Sequence, residues 1–183
     1  MFRDMRIKFL VILLSAIAVV SCKKEANTSE ADQVKEEQSQ KRDQITRKDI
    51  EDLSYSDYVL SSEADKLIMD WQKFQEFNSQ IDFLKQAEFS FFRNDKKIMT
   101  TLLDEMKSTI PEQINTNTIQ SRIIVVETTA LKLYDVLNLN NVEKNIKLTA
   151  IKEILASVSY LNLQINKKLE LDANNIKRPS NSD

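Results

Sequence analysis

The chain has 183 residues, 42% apolar and 30% charged, a length that suits a single domain. It contains no His, no Gly and one Cys. Without Gly there is no phosphate-cradling P-loop, no G-x-G-x-x-G dinucleotide turn and no G-x-S-x-G nucleophile elbow, because each needs a close backbone approach or a positive φ that a Cβ obstructs. Without His, the common catalytic triads and most zinc, copper and di-iron sites are excluded as well.

Arg3, Arg6 and Lys8 make a basic start, Phe9 to Val20 an apolar run of 12 residues, and Ser21 a small residue before Cys22. That order is the layout of a secretory signal peptide, and the run is shorter than the ~20 residues of a membrane-spanning helix. Val19-Val20-Ser21-Cys22 resembles the lipobox of bacterial lipoproteins, in which an aliphatic residue, a tolerant position and a small residue precede a lipidated Cys. The resemblance covers residues 1–22. It implies cleavage between Ser21 and Cys22, diacylation of the Cys22 sulfur and acylation of the new amino group. Lipidation also accounts for an odd cysteine count in an exported chain, and two or three acyl chains hold a protein at a membrane durably. Residues 1–21 are therefore expected to be a signal peptide. The mature protein is expected to be lipid-anchored in the bacterial cell envelope, at the outer membrane. Its 23 basic and 27 acidic groups give a net formal charge of −4, with no basic stripe for a nucleic acid.

From Cys22 to Leu53 the sequence predicts a charged spacer. Of the 31 residues after Cys22, 16 are charged and only six are apolar, too few to offset the entropy of ordering them. A flexible coil of this length spans about 30 Å root-mean-square, and a frayed exposed helix suits the composition equally. Lys23-Lys24-Glu25, with acids following, is similar to the charged signals that carry some Gram-negative lipoproteins to the cell surface. A solvated charge run is the plainer reading.

Residues 54–171 are expected to form an all-α domain, an antiparallel up-down four-helix bundle, with a disordered tail over 172–183. The first predicted helix runs from a Ser61 or Ser62 cap to Ala87, with Ala64, Leu67, Trp71, Phe74, Ile81 and Leu84 as its stripe. The second starts at Asn94 or Asp95, carries Ile98, Leu102, Leu103 and Met106, and ends by about Ile110, before Pro111. The third, from Asn117 or Thr118 to Leu137, places Ile119, Ile123, Val126, Ala130, Leu133 and Leu137 on an unbroken heptad seam. Off that seam, Ile124, Val125, Leu131, Tyr134 and Val136 leave only a narrow wet face and predict a central packing element. The fourth, capped by Asn140 or Asn141, continues the spacing from Leu148 to Leu169 with polar Asn162 on the stripe. Asn138, Asn140 and Asn141 stand where glycine would adopt a left-handed helix end.

No catalytic residues, no metal site and no cofactor are expected. Adjacent acids such as Glu51-Asp52 and Asp104-Glu105 point in different directions and read as surface, and Met99 and Met106 read as core filling. Seven aromatics fall between Trp71 and Phe92. At 100° per residue Phe83 lies 120° from Trp71, and Phe91 and Phe92 follow in a turn. A bend near Asn78 or Glu88 that folds all of them inside is the favoured arrangement; without it Phe83, Phe91 and Phe92 form the candidate interaction patch. Tyr55 and Tyr58 are expected to lock the spacer onto the bundle. The functional expectation is a non-catalytic interaction or structural module, held to the membrane by its lipid and meeting an envelope protein. The alternatives are a small-ligand or lipid carrier, suggested by the Phe excess and Asn162, and a hydrolase relying on carboxylates.

Overall fold

A computed structural model describes residues 44–174. The signal peptide, Ser21 and Cys22, the spacer as far as residue 43 and the tail beyond residue 174 lie outside the described residues.

Seven α-helices and one 3-10 turn make up the described part: α1 (Arg47–Glu51), α2 (Ser62–Ile68), α3 (Gln72–Lys85), α4 (Ser90–Arg93), α5 (Lys96–Ser108), the 3-10 turn Glu112–Ile114, α6 (Asn117–Asn138) and α7 (Lys144–Asn174). Side-chain caps start several of them. Ser61 accepts from the Ala64 amide, Asp95 from Lys97 and Thr116 from Ile119, each meeting an amide that a helix start leaves unpaired.

Helix α6 runs antiparallel to both α5 and α7. Lys132 meets Glu153 at 2.6 Å and Thr129 Oγ1 meets Ser157 Oγ at 2.9 Å, so numbers fall along α6 as they rise along α7. Lys96–Asp135 at 3.2 Å and Lys107–Glu127 at 3.6 Å set the same relation between α5 and α6. Near the Lys107 end of α5, Glu105 meets Lys73 of α3 at 2.7 Å. These exposed pairs add little stability, and the packing comes from the seams. Ile119, Ile123, Val126, Ala130, Leu133 and Leu137 of α6 are all buried, against Ile151, Ile154, Leu155, Val158, Leu161 and Ile165 of α7. Met99 and Met106 are wholly buried in the same core.

Several sequence expectations are corrected. The predicted helix Ser61–Ala87 is broken after Ile68, where Trp71 takes a non-helical φ of −84° and ψ of 72°. The break turns Ile68, rather than Leu67, inward and sinks the indole into the core, where Trp71 Nε1 donates to the Met106 carbonyl at 3.0 Å and the ring stacks on Phe74 at 4.6 Å. The spacer ends earlier than Leu53. Ile45 and Ile50 are buried, and Thr46 and Asp49 close a capping box at the head of α1. The α6 face is wider in solvent than the off-seam residues suggested, because Ile124 and Val125 are exposed. At the far end, α7 continues to Asn174, past the predicted boundary at 171.

Among the described residues two adopt left-handed backbone, Asn141 at φ 61° and Ala87 at φ 63°. Asn141 is one of the three asparagines the sequence pointed to. Ala87 was not, and it closes α3 in a Schellman pattern: Glu88 N–H donates to the Phe83 carbonyl and Ala87 N–H to that of Leu84, both at 3.0 Å.

Candidate functional site: a strap and a charge-poor helical face

Between α1 and α2, residues 53–61 have neither helix nor strand and lie along α7 as a strap. A strap with no ladder partner satisfies its backbone groups through side chains or water. Ser159, Asn162 and Asn166, spaced to lie on one face of α7, do this. Tyr58 N–H donates to Ser159 Oγ at 2.6 Å, and that hydroxyl donates to the Ser56 carbonyl at 2.6 Å. Asn162 Nδ2 donates to the Tyr58 carbonyl at 3.1 Å and Asn166 Nδ2 to that of Val59 at 2.8 Å. Asn166 Oδ1 in turn accepts from the Ser61 amide at 2.8 Å. The polar interruption at Asn162 is thus a peg for the strap, although its buried Oδ1 has no partner among the described residues.

The strap's acidic side faces α3. Asp57 lies 3.5 Å from Lys85, and with Asp65, Asp82 and Asn78 it rims a cleft of about 240 Å³ floored by Ile81, Leu155 and Val158. Partial burial, and secondarily the charge of Asp57, push the Tyr55 hydroxyl above its usual range.

On the other side the surface changes character. Residues 53–62, 117–131 and 154–166 together hold 38 residues and three charges, Asp57, Arg122 and Glu127, in a chain of which 30% is charged. Glu127 is taken up by Lys107 on α5. Tyr160 of α7 joins the three segments. Its ring lies 5.9 Å from that of Tyr58, and the Arg122 guanidinium of α6 sits 5.7 Å from its centroid. Around this stack Tyr58 is 37% exposed, Tyr160 42% and Val125 43%. Depletion of charge with retention of Tyr and Arg is the composition of the centre of a protein interface. The aromatic density around Phe83 drew the sequence reading elsewhere; the readable signal for this face was the charge-free run of 13 residues from Ile154 to Asn166.

The sequence-derived trio is divided. Phe83 is 53% exposed on α3, Phe91 is partly buried against the core, and Phe92 is fully buried, edge-on to Phe91 at 5.0 Å. Phe92 therefore cannot contribute to a surface patch. Its carbonyl accepts from Asn138 Nδ2 at 3.1 Å, which ties the short α4 to the end of α6. The chain turns at Ala87, near one of the two predicted bends, while α3 passes through Asn78 unbroken. The observations behind the carrier expectation find other uses: Trp71, Phe74, Phe77 and Phe92 fill the core, and Asn162 holds the strap. One acid of each adjacent pair sits in an exposed ion pair, Glu51 with Arg47 and Glu105 with Lys73. Among the described residues, no helix is long and apolar enough to cross a membrane.

Comparison with protein-family models, with curated proteins and with solved structures finds no match.

Proposed function

We propose that the chain is a lipoprotein of the bacterial cell envelope, anchored through Cys22 at the outer membrane, whose helical body is a non-catalytic docking module. The observation that carries the anchor is the position of the chain's single cysteine, directly after Val19-Val20-Ser21 at the end of the apolar run. The reading of the body rests on the charge-poor face around Tyr58, Tyr160 and Arg122, and its natural partner is an envelope protein. In this reading α3, α5, α6 and α7 are the four rods of an up-down bundle, in keeping with their antiparallel ion pairs. The helices form a rigid platform, and the pegged strap completes its binding surface.

Intact mass of the membrane-extracted protein, with fractionation of a Cys22→Ala variant beside it, tests the anchor. The wild type is expected to begin at Cys22, carry two or three acyl chains and partition to membrane, and the variant to lose all three properties. An unmodified thiol or a retained amino terminus would overturn it.

A further inference from the structure

The strap is held by pegs along its length and by anchors at its ends. None of residues 53–61 is buried; Leu53, Tyr55 and Leu60 are partly covered by the core, and Val59 is 76% exposed. The bonds from Ser159, Asn162 and Asn166 all reach its main chain. Such bonds return less than the ordering of the strap's residues costs, so the balance is met at the ends. After the strap, Ala64 and Ile68 of α2 are buried. Before it, Ile45 and Ile50 are buried and Asp49 of α1 meets Lys144 at 2.8 Å, with Asp52 alone between α1 and the strap. Pinned at both ends, the strap is a short closed loop with little freedom left to lose. Freed at α1, it becomes part of a chain end, and the pegs no longer offset its entropy. The two places so linked are well separated: α1 grips the head of α7, and Tyr58 meets Tyr160 about 24 Å farther along the same helix.

We propose that α1 is a clip that controls the docking face. While it is in place, the strap holds Tyr58 beside Tyr160; when it is released, the strap leaves α7 and the face loses Tyr58, an order–disorder coupling between two separate parts of the body. This gives the docking module a means of regulation and rests on that reading for its use. Chain order puts α1 between Cys22 and the strap, so in the anchored protein a pull on the tether reaches the clip first.

Amide exchange in the full mature protein, extracted in detergent, tests the coupling. Ile45→Ala and Lys144→Ala act at the clip, and Asn166→Ala acts at the pegs. A coupling between two sites is reciprocal, so each variant is expected to accelerate the Ile50 and Tyr58 amides by a common factor, at least about tenfold for Ile45→Ala. The Ile123 and Ala130 amides in the α6 core are expected to keep their rates, which also shows that the variants fold. Ile50 accelerated with Tyr58 unmoved in the clip variants, or Tyr58 accelerated with Ile50 unmoved in Asn166→Ala, would overturn the proposal. So would unchanged rates at both amides in all three variants, or equal acceleration of the α6 amides, which would make the opening that of the whole body. No partner is present in this measurement, so its outcome is separate from the docking reading, which fails instead if the face is left unprotected in membranes.

Discussion

Ala87 carries the clearest local strain in the described chain. Its φ of 63° places Cβ against the following carbonyl, a conformation that costs an L-residue roughly 1–2 kcal/mol and a glycine almost nothing. Ala87→Gly is expected to stabilise the protein by about 0.5–1 kcal/mol after the larger entropy of an unfolded glycine is counted, raising the thermal midpoint by about 1–4 °C in a calorimetric scan. Trp71 makes the opposite case. Its indole N–H is buried on the Met106 carbonyl, so Trp71→Phe is expected to cost about 1–3 kcal/mol in urea unfolding, the loss of a buried hydrogen bond plus a small packing defect. An unchanged midpoint would show the bond to be dispensable. Neither residue was legible as such in the sequence. A left-handed alanine has no compositional signature, and Trp71 fits the helical stripe so well that the period concealed the break it occupies.

At the scale of elements, the α6 seam was fully readable because six buried positions follow one regular spacing over five turns. The short α1 was not, because two isoleucines among so many charges cannot be told from a solvated spacer without the partner they pack against. Its capping box, Thr46-Arg47-Lys48-Asp49, was the signal available. Asp49 also fastens α1 to the head of α7. The Lys144 ammonium at 2.8 Å and the Thr46 hydroxyl and amide draw its carboxyl down to about 2, from an ordinary value of 3.8. A carboxyl lowered in the folded state contributes stability that is complete above about pH 4 and disappears as pH falls toward about 2. Loss of α1 docking is therefore expected in that window, seen as accelerated amide exchange at Ile50, and Asp49→Asn is expected to remove the pH dependence. The strap gives a second test. Asn166→Ala deletes the bonds to Val59 and Ser61 and is expected to speed exchange of the Ser61 amide at least about tenfold, while the α6 core amides keep their rates.

For the whole molecule, charge is distributed unevenly. Ion pairs lie along the α3, α5 and lower α6 surfaces, whereas the strap, the first half of α6 and the middle of α7 are almost free of charge. The all-helical class followed from periodicity. The face did not, because it is assembled from three segments far apart in sequence, and only the packing brings Tyr58, Arg122 and Tyr160 together. The phenylalanines looked more conspicuous in the sequence, yet most of them make the core. The most direct test of the account is maleimide labelling of Val125→Cys and Ile98→Cys in native membranes and again in dilute, extracted protein. If the charge-poor face is the working surface, Val125→Cys labels several-fold more slowly in membranes than after extraction, and Ile98→Cys labels alike in both. Equal rates at both positions in both settings would contradict it.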